Sequence, residues 1–177
     1  MKPDSGKIKD INALIKKCRR GNRNAQLNLY RHFYSKTFAV CQRYAKNDAE
    51  AKFILNEGWL QVFMSIGESS RPFEEWLNKE IVDHAAKFHK EVFREGIFSS
   101  NIQQLKVEPP LNKEFNYDQV LKGVQSLSAD SRVVFCLEVI DQYSEKEIFD
   151  LLNIDKERLE YCLAKAKINL IKQLNKI

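Results

Sequence analysis

Three kinds of side chain in this sequence could do chemistry: four cysteines, three histidines and an uneven population of lysines and arginines. Cys18, Cys41, Cys136 and Cys162 have no CxxC spacing and no paired histidine, which predicts small buried hydrophobes in a reducing compartment and no zinc site. His32, His84 and His89 do not form a metal-ligand set, and the chain has neither a Gly-rich phosphate loop nor a nucleophile motif. The expectation is a protein that is not an enzyme and needs no cofactor and no metal. What remains is charge. Residues 1 to 46 carry 12 Lys/Arg against 2 acids, a local charge of +10, so the other 131 residues sum to −5 within the overall +5. Cations concentrated in this way suit a polyanion or a negatively charged protein.

The elements that would position those side chains read as helices. With 6 Gly and 4 Pro there is little turn material for hairpins, and 44% hydrophobic with 30% charged residues describes a globular chain. Ile8, Ile11, Leu14, Ile15 and Cys18 recur at three- and four-residue steps until Gly21. A second helix from about Asn24 carries Leu27, Tyr30, Phe33, Tyr34, Phe38, Cys41 and Tyr44. Asn47 and Asp48 read as the next cap, ahead of Ala51, Ile54, Leu55, Trp59, Val62, Phe63 and Ile66. A fourth helix follows Ser70 and Pro72 with Phe73, Trp76, Leu77, Ile81, Ala85 and Phe88. Four amphipathic helices of this length form a bundle with its own core. No apolar run is long enough to span a membrane, and Met1-Lys2-Pro3-Asp4 does not open a signal peptide, so a cytoplasmic location without membrane insertion is expected.

Residues 94 to 117 lose the periodicity, and Pro109-Pro110 cannot lie inside a helix, so this stretch reads as a linker. Beyond it come short helices at 118 to 127 and from Ser128. Ser144-Glu145-Lys146-Glu147 then fits a capping box. A turn at Asn153-Ile154-Asp155 precedes a last helix with Leu159, Leu163, Ala166 and Leu170 inward. Helix, three-residue turn and helix make a helix-turn-helix, whose second helix rests in the major groove where base edges differ. Its outward side chains would be Lys156, Arg158, Tyr161, Lys165 and Lys167. The organisation expected is therefore all-α, in two small helical domains: a bundle at 1 to 93, a linker at 94 to 117 and a helix-turn-helix domain at 118 to 177.

Several stretches in this order resemble bacterial RNA polymerase sigma factors of the extracytoplasmic-function type, in the sigma-70 family. Leu127 to Phe135, with Leu127-Ser128, Arg132 and Val134-Phe135, followed by Tyr143-Ser144-Glu145-Lys146-Glu147-Ile148, is similar to the promoter −35-binding region. Leu163-Ala164-Lys165-Ala166-Lys167 is similar to its closing "L-x-R-A-R". Gly21 to Gln26, Leu29-Tyr30 and Ala39 to Ala45 look like the first half of the −10-binding region. Asn56-Glu57-Gly58-Trp59, Val62-Phe63 and Phe73 to Leu77 look like its second half. The resemblance covers roughly residues 8 to 90 and 118 to 172. It implies a factor that binds core RNA polymerase, recognises −10 and −35 promoter DNA, and answers to an anti-sigma factor or other regulator. By position, Lys52, Phe53, Asn56 and Glu57 would grip polymerase, while Arg71, Lys79, Asp83, Lys87 and Lys90 would lie at the −10 element. Phe73 and Trp76 could stack on unpaired bases, but their helical spacing reads as core.

The departures fall on functional positions. Ala51-Lys52-Phe53-Ile54-Leu55-Asn56-Glu57 replaces the family's "A-E-D-x-x-Q-E", exchanging acids for a cation and an aromatic. Asp83 stands where the family has Asn, and its carboxylate would repel a phosphate. Phe149 replaces a small Ala where the helices of the helix-turn-helix approach, so it should force them apart or pack outward. Glu157 and Glu160 put negative charge at the end of the recognition helix that should enter the groove. The alternative reading is a sigma-like protein that acts as a protein-interaction module, docking through the Phe53 and Phe149 neighbourhoods.

Overall fold

The computed structural model describes residues 10–67, 72–93 and 114–176. Every regular element among them is helical. Four helices come first: α1 (Ile11–Arg19), α2 (Arg23–Tyr44), α3 (Asp48–Ser65) and α4 (Phe73–Phe88). Side-chain caps start the first three. Asp10, Asn22 and Asn47 accept from the backbone amides of Ala13, Ala25 and Glu50 at 2.9 Å each, satisfying amides that a helix start leaves unpaired. Gly21, at φ 73, supplies the left-handed turn between α1 and α2. α4 begins directly after Pro72, whose fixed φ suits a helix start. A 3₁₀ turn at Lys90–Phe93 follows α4. The expected linker at 94–117 lies outside the described residues except for Glu114–Asn116, and Tyr117 already belongs to the next helix.

The C-terminal helices are α5 (Tyr117–Gln125), α6 (Ala129–Phe135), α7 (Glu145–Leu152) and α8 (Lys156–Leu174). Ser144 and Glu147 form the capping box expected of them. Asn153 closes α7 at φ 57, ψ 52, and Asp155 accepts from the Arg158 amide at 2.8 Å to start α8. Ser128 stands at the cap of α6, but its hydroxyl accepts no backbone amide there. After α6 the helix widens into a π turn at Cys136–Ile140, where the Asp141 amide reaches back five residues to the Cys136 carbonyl at 2.9 Å. Gln142, at φ 57, then reverses the chain.

In the N-terminal helices the core is Leu29, Phe33, Ile54, Leu55, Trp59, Val62, Leu77 and Ile81, all essentially inaccessible. Burying each such side chain contributes about 1.5–3 kcal/mol. Trp59 Nε1 donates to Thr37 Oγ1 at 3.2 Å, and the Thr37 hydroxyl donates to the Phe33 carbonyl at 2.9 Å, so the indole is buried without an orphaned N–H. Phe73 and Trp76 are core side chains, 9% and 8% exposed, as their spacing indicates. All four cysteines are free and buried. Burial pushes the Cys41 and Cys162 thiols up to about 12.

The two groups of helices pack on one another. A single buried apolar cluster runs from Ile15 through Tyr44 and Val133 to Leu163. Its polar rim is built on the end of α2, whose last carbonyls no longer have intrahelical partners. Gln125 Nε2 donates to the Gln42 carbonyl at 3.1 Å, the Cys136 thiol to the Arg43 carbonyl at 3.4 Å, and Arg132 Nε to the Tyr44 carbonyl at 2.9 Å. Three successive carbonyls of α2 are thus capped by side chains from the C-terminal helices. Arg132, 3% exposed, also donates to the Gln125 and Leu127 carbonyls at 3.1 and 2.8 Å, closing the end of α5 as well. A cation suits both helix ends, where the peptide dipoles leave negative charge.

Candidate functional site

Three surfaces carry the residues singled out by sequence: the start of α8, the outer edge of α4 and the outer face of α3. On α8 the five candidates divide. Lys156 and Lys167 are exposed. Lys156 is shared between Glu145 at 3.7 Å and Glu160 at 3.9 Å, exposed pairs of little energetic weight. Arg158 and Lys165 turn toward α6. Lys165 Nζ lies 3.6 Å from Asp130, the Arg158 charge acts on the same carboxylate, and Cys162 Sγ stands 3.9 Å from it. Burial alone would raise the Asp130 carboxyl, but bonds from Ser128 and the Ser131 amide, with Lys165 and Arg158 beside it, hold it below its ordinary value. Tyr161 is half-buried with Lys165 5.7 Å from its ring centre. The exposed charges at the head of α8 are Asp155, Glu157 and Glu160 against Lys156, a surplus of acid where a groove-reading helix needs cations.

On α4, Lys79 Nζ bonds both Asp83 oxygens at 3.1 and 3.3 Å and sits 4.7 Å from the ring centre of Tyr143. The Tyr143 hydroxyl donates to Asp83 Oδ1 at 2.7 Å. Asp83 is therefore not on a solvated face: it is the α4 end of a contact with the turn ahead of α7. Lys87 is exposed and borders a cavity of about 270 Å³ between α4 and α7, lined also by Glu147, Asp150 and Leu151. Lys90 is half-buried in the 3₁₀ turn, and Arg71 lies outside the described residues. Lys79, Asp83 and Lys87 thus share one edge of α4, and the C-terminal helices cover part of that edge.

On α3, Lys52, Phe53, Asn56 and Glu57 are all exposed, and the Tyr30 hydroxyl donates to Asn56 Oδ1 at 3.4 Å. Leu60 and Met64, not singled out by sequence, extend Phe53 into a stripe at i, i+7 and i+11, with exposures of 56, 56 and 80% in chain order. Residues at these steps fall on one line of a helix, opposite the buried Leu55 and Val62. The signal was present in the spacing. Phe149 packs half-buried against the core rather than outward.

Sequence reasoning gave no role to the residues that bind the two groups of helices together. Arg43 Nη2 donates to Asp141 Oδ1 and the Tyr44 hydroxyl to Asp141 Oδ2, both at 2.8 Å. Burial raises the Asp141 carboxyl, with Arg43 and Tyr44 pulling against it, and burial holds the Tyr44 hydroxyl well above its ordinary value. His89, 7% exposed, lies at the same seam and is kept neutral by burial first and the Arg132 charge second. In comparisons with known proteins, no family model and no curated protein matches the chain.

Proposed function

We propose that this chain is a sigma-type transcription factor of the extracytoplasmic-function class, which binds core RNA polymerase and directs it to −10 and −35 promoter elements. The observation that carries the reading is the α7–turn–α8 unit, capped by Ser144, Asn153 and Asp155, standing behind a four-helix group in the order that the short motifs require. The Phe53, Leu60 and Met64 stripe supports it further, since a row of exposed apolar side chains on one helix is suited to docking a partner helix.

On this reading the packed arrangement is a closed form. Two elements about 25 base pairs apart are separated by roughly 85 Å of duplex at 3.4 Å per pair. A packed chain of this length has a radius of gyration of about 16 Å. It cannot reach both elements, so the seam between the two groups of helices has to open on polymerase. The test is co-purification with core polymerase at low salt, followed by footprinting of the complex on promoter DNA. Binding with a protected −10 and −35 region is expected, and failure to bind polymerase removes the proposal.

A second reading has its own observation. Asp155, Glu157 and Glu160 crowd the head of α8, and Arg158 and Lys165 are engaged with Asp130, which favours a sigma-like protein that contacts polymerase or a regulator without reading the −35 element. Polymerase binding with no −35 protection would select it.

A further inference from the structure

The cations of α1 and of the first half of α2 belong to none of the three surfaces above. Between residues 10 and 46 there are nine Lys/Arg and one acid, Asp10, whose carboxylate is already used to cap α1. Lys16, Lys17, Arg20, Arg23 and Arg31 are exposed and form no ion pair with any described residue. Arg19 is anchored differently, donating to the Ile66 carbonyl at 3.2 Å. Their spacing is regular. Lys16 on α1 and Arg20 at its C-terminal cap are one turn apart, while Arg23 and Arg31 are two turns apart on α2, about 12 Å along the axis. The tight turn at Gly21 brings the two rows together between Arg20 and Arg23.

We propose that this ridge binds the phosphodiester backbone of a nucleic acid, independently of α8 and of polymerase. Uncompensated like charge repels itself and lowers stability unless an anion is bound. The chemistry selects the anion. Arginine predominates over lysine from Arg19 to Arg31, and its planar fork matches phosphate oxygens in pairs. The one exposed large apolar side chain between Arg23 and Arg31 is Leu27, too little to insert into a lipid surface. Charge is what sets this face apart, so the contact proposed is to the backbone and independent of sequence.

The test uses the full chain alone, titrated with a random-sequence 20-base-pair DNA duplex and its RNA counterpart over a range of salt concentrations. Five phosphate contacts give a log–log salt slope of about −4.5 for duplex DNA. The triple variant R20Q/R23Q/R31Q, all at exposed positions, is expected to keep its circular-dichroism melt and to lose about three units of that slope. A matched variant, K122Q/K146Q/K172Q, removes the same charge from exposed positions of α5, α7 and α8, and should change the slope by less than one unit. The DNA and RNA arms show which duplex is preferred. Equal losses from the two triple variants would reduce the ridge to net charge and overturn the proposal. So would tighter binding to polyglutamate or to phosphatidylserine vesicles than to either duplex.

Discussion

The Tyr143 hydroxyl donates to Asp83 Oδ1 at 2.7 Å, across 60 residues of sequence, and ties the turn before α7 to the middle of α4. A carboxylate that would repel DNA phosphate instead accepts an internal bond, and Lys79 completes the cluster from the same helix. The aromatic ring under the Lys79 ammonium makes this a contact of three side chains with three interactions, not an incidental approach. The edge of α4 that carries Lys79 and Asp83 is thereby occupied in part by the protein itself.

Removing that hydroxyl is therefore expected to loosen the closed form. Tyr143→Phe should lose about 1.5 kcal/mol of stability in urea unfolding, the worth of a hydrogen bond to a charged acceptor. It should also speed association with polymerase, because the opened form is reached more easily. Unchanged stability together with an unchanged association rate would show that the bond does not restrain the seam.

Arg132 is expected to be far less tolerant. Its guanidinium serves the Tyr44, Gln125 and Leu127 carbonyls at once. Arg132→Met takes this donor from three carbonyls, of which that of Tyr44 keeps His89, and a buried carbonyl left unpaired costs about 1–3 kcal/mol before any rehydration. Arg132→Lys should recover only part of this, since an ammonium lacks the planar fork. Denaturation midpoints of the three chains order the result as Arg, Lys, Met; a Lys variant as stable as the parent would contradict it.

The four N-terminal helices and the α7–turn–α8 succession were legible because their signals are local: Asn47, Ser144 and Asp155 cap helices within three residues of themselves. The seam was not, because its partners are distant. Arg43 and Asp141 are 98 residues apart, and each alone reads as a polar surface residue. The same limit applied to α8. A helical wheel separates inward from outward, but it cannot show that Asp130 of α6 waits beside Arg158 and Lys165. Phe149 misled for a related reason, since spacing shows a large side chain in a tight place but not the core it can join.

Acid should weaken the closed form. His89 faces Arg132 of α6, Glu50 and Lys46 around the start of α3, and the Tyr44 carbonyl, and burial followed by the Arg132 charge lowers its pKa below 6.5. The unfolded chain then takes up the proton more readily, so this stability is complete above about pH 6.5 and is lost as pH falls toward the folded pKa. His84, lowered by burial, acts in the same sense, whereas Asp141, raised by burial, acts in the opposite one. Urea unfolding at pH 7.5 and 5.5 should show the loss, and His89→Gln should flatten it. An equal slope in that variant would exclude His89 as the source.

The stripe on α3 separates folding from binding. Phe53, Leu60 and Met64 are each more than half exposed, so serine at any of them should change stability by less than about 0.5 kcal/mol. Affinity for core polymerase should fall about ten- to a hundredfold, or about 1.4–2.7 kcal/mol. Isothermal titration of the folded variants with polymerase checks this, and parent-like affinity in all three would move the docking surface elsewhere.

Cys136 offers a built-in reporter. It is fully buried at the seam, its thiol is pushed up to about 12 by burial, and it bonds the Arg43 carbonyl. It should resist thiol reagents at pH 8 in the free chain and react once polymerase is bound. Mass spectrometry of the labelled peptide distinguishes it from Cys41 in the α2 core, which should stay protected in both states.

The closed form and its opening can be measured most directly as a distance. Spin labels at exposed Asn28 of α2 and Lys146 of α7 report the separation of the two groups of helices. In the free chain a single short distance is expected, and on core polymerase bound to promoter DNA it should lengthen by tens of ångströms. A distance that stays short in a complex that initiates transcription would contradict the account.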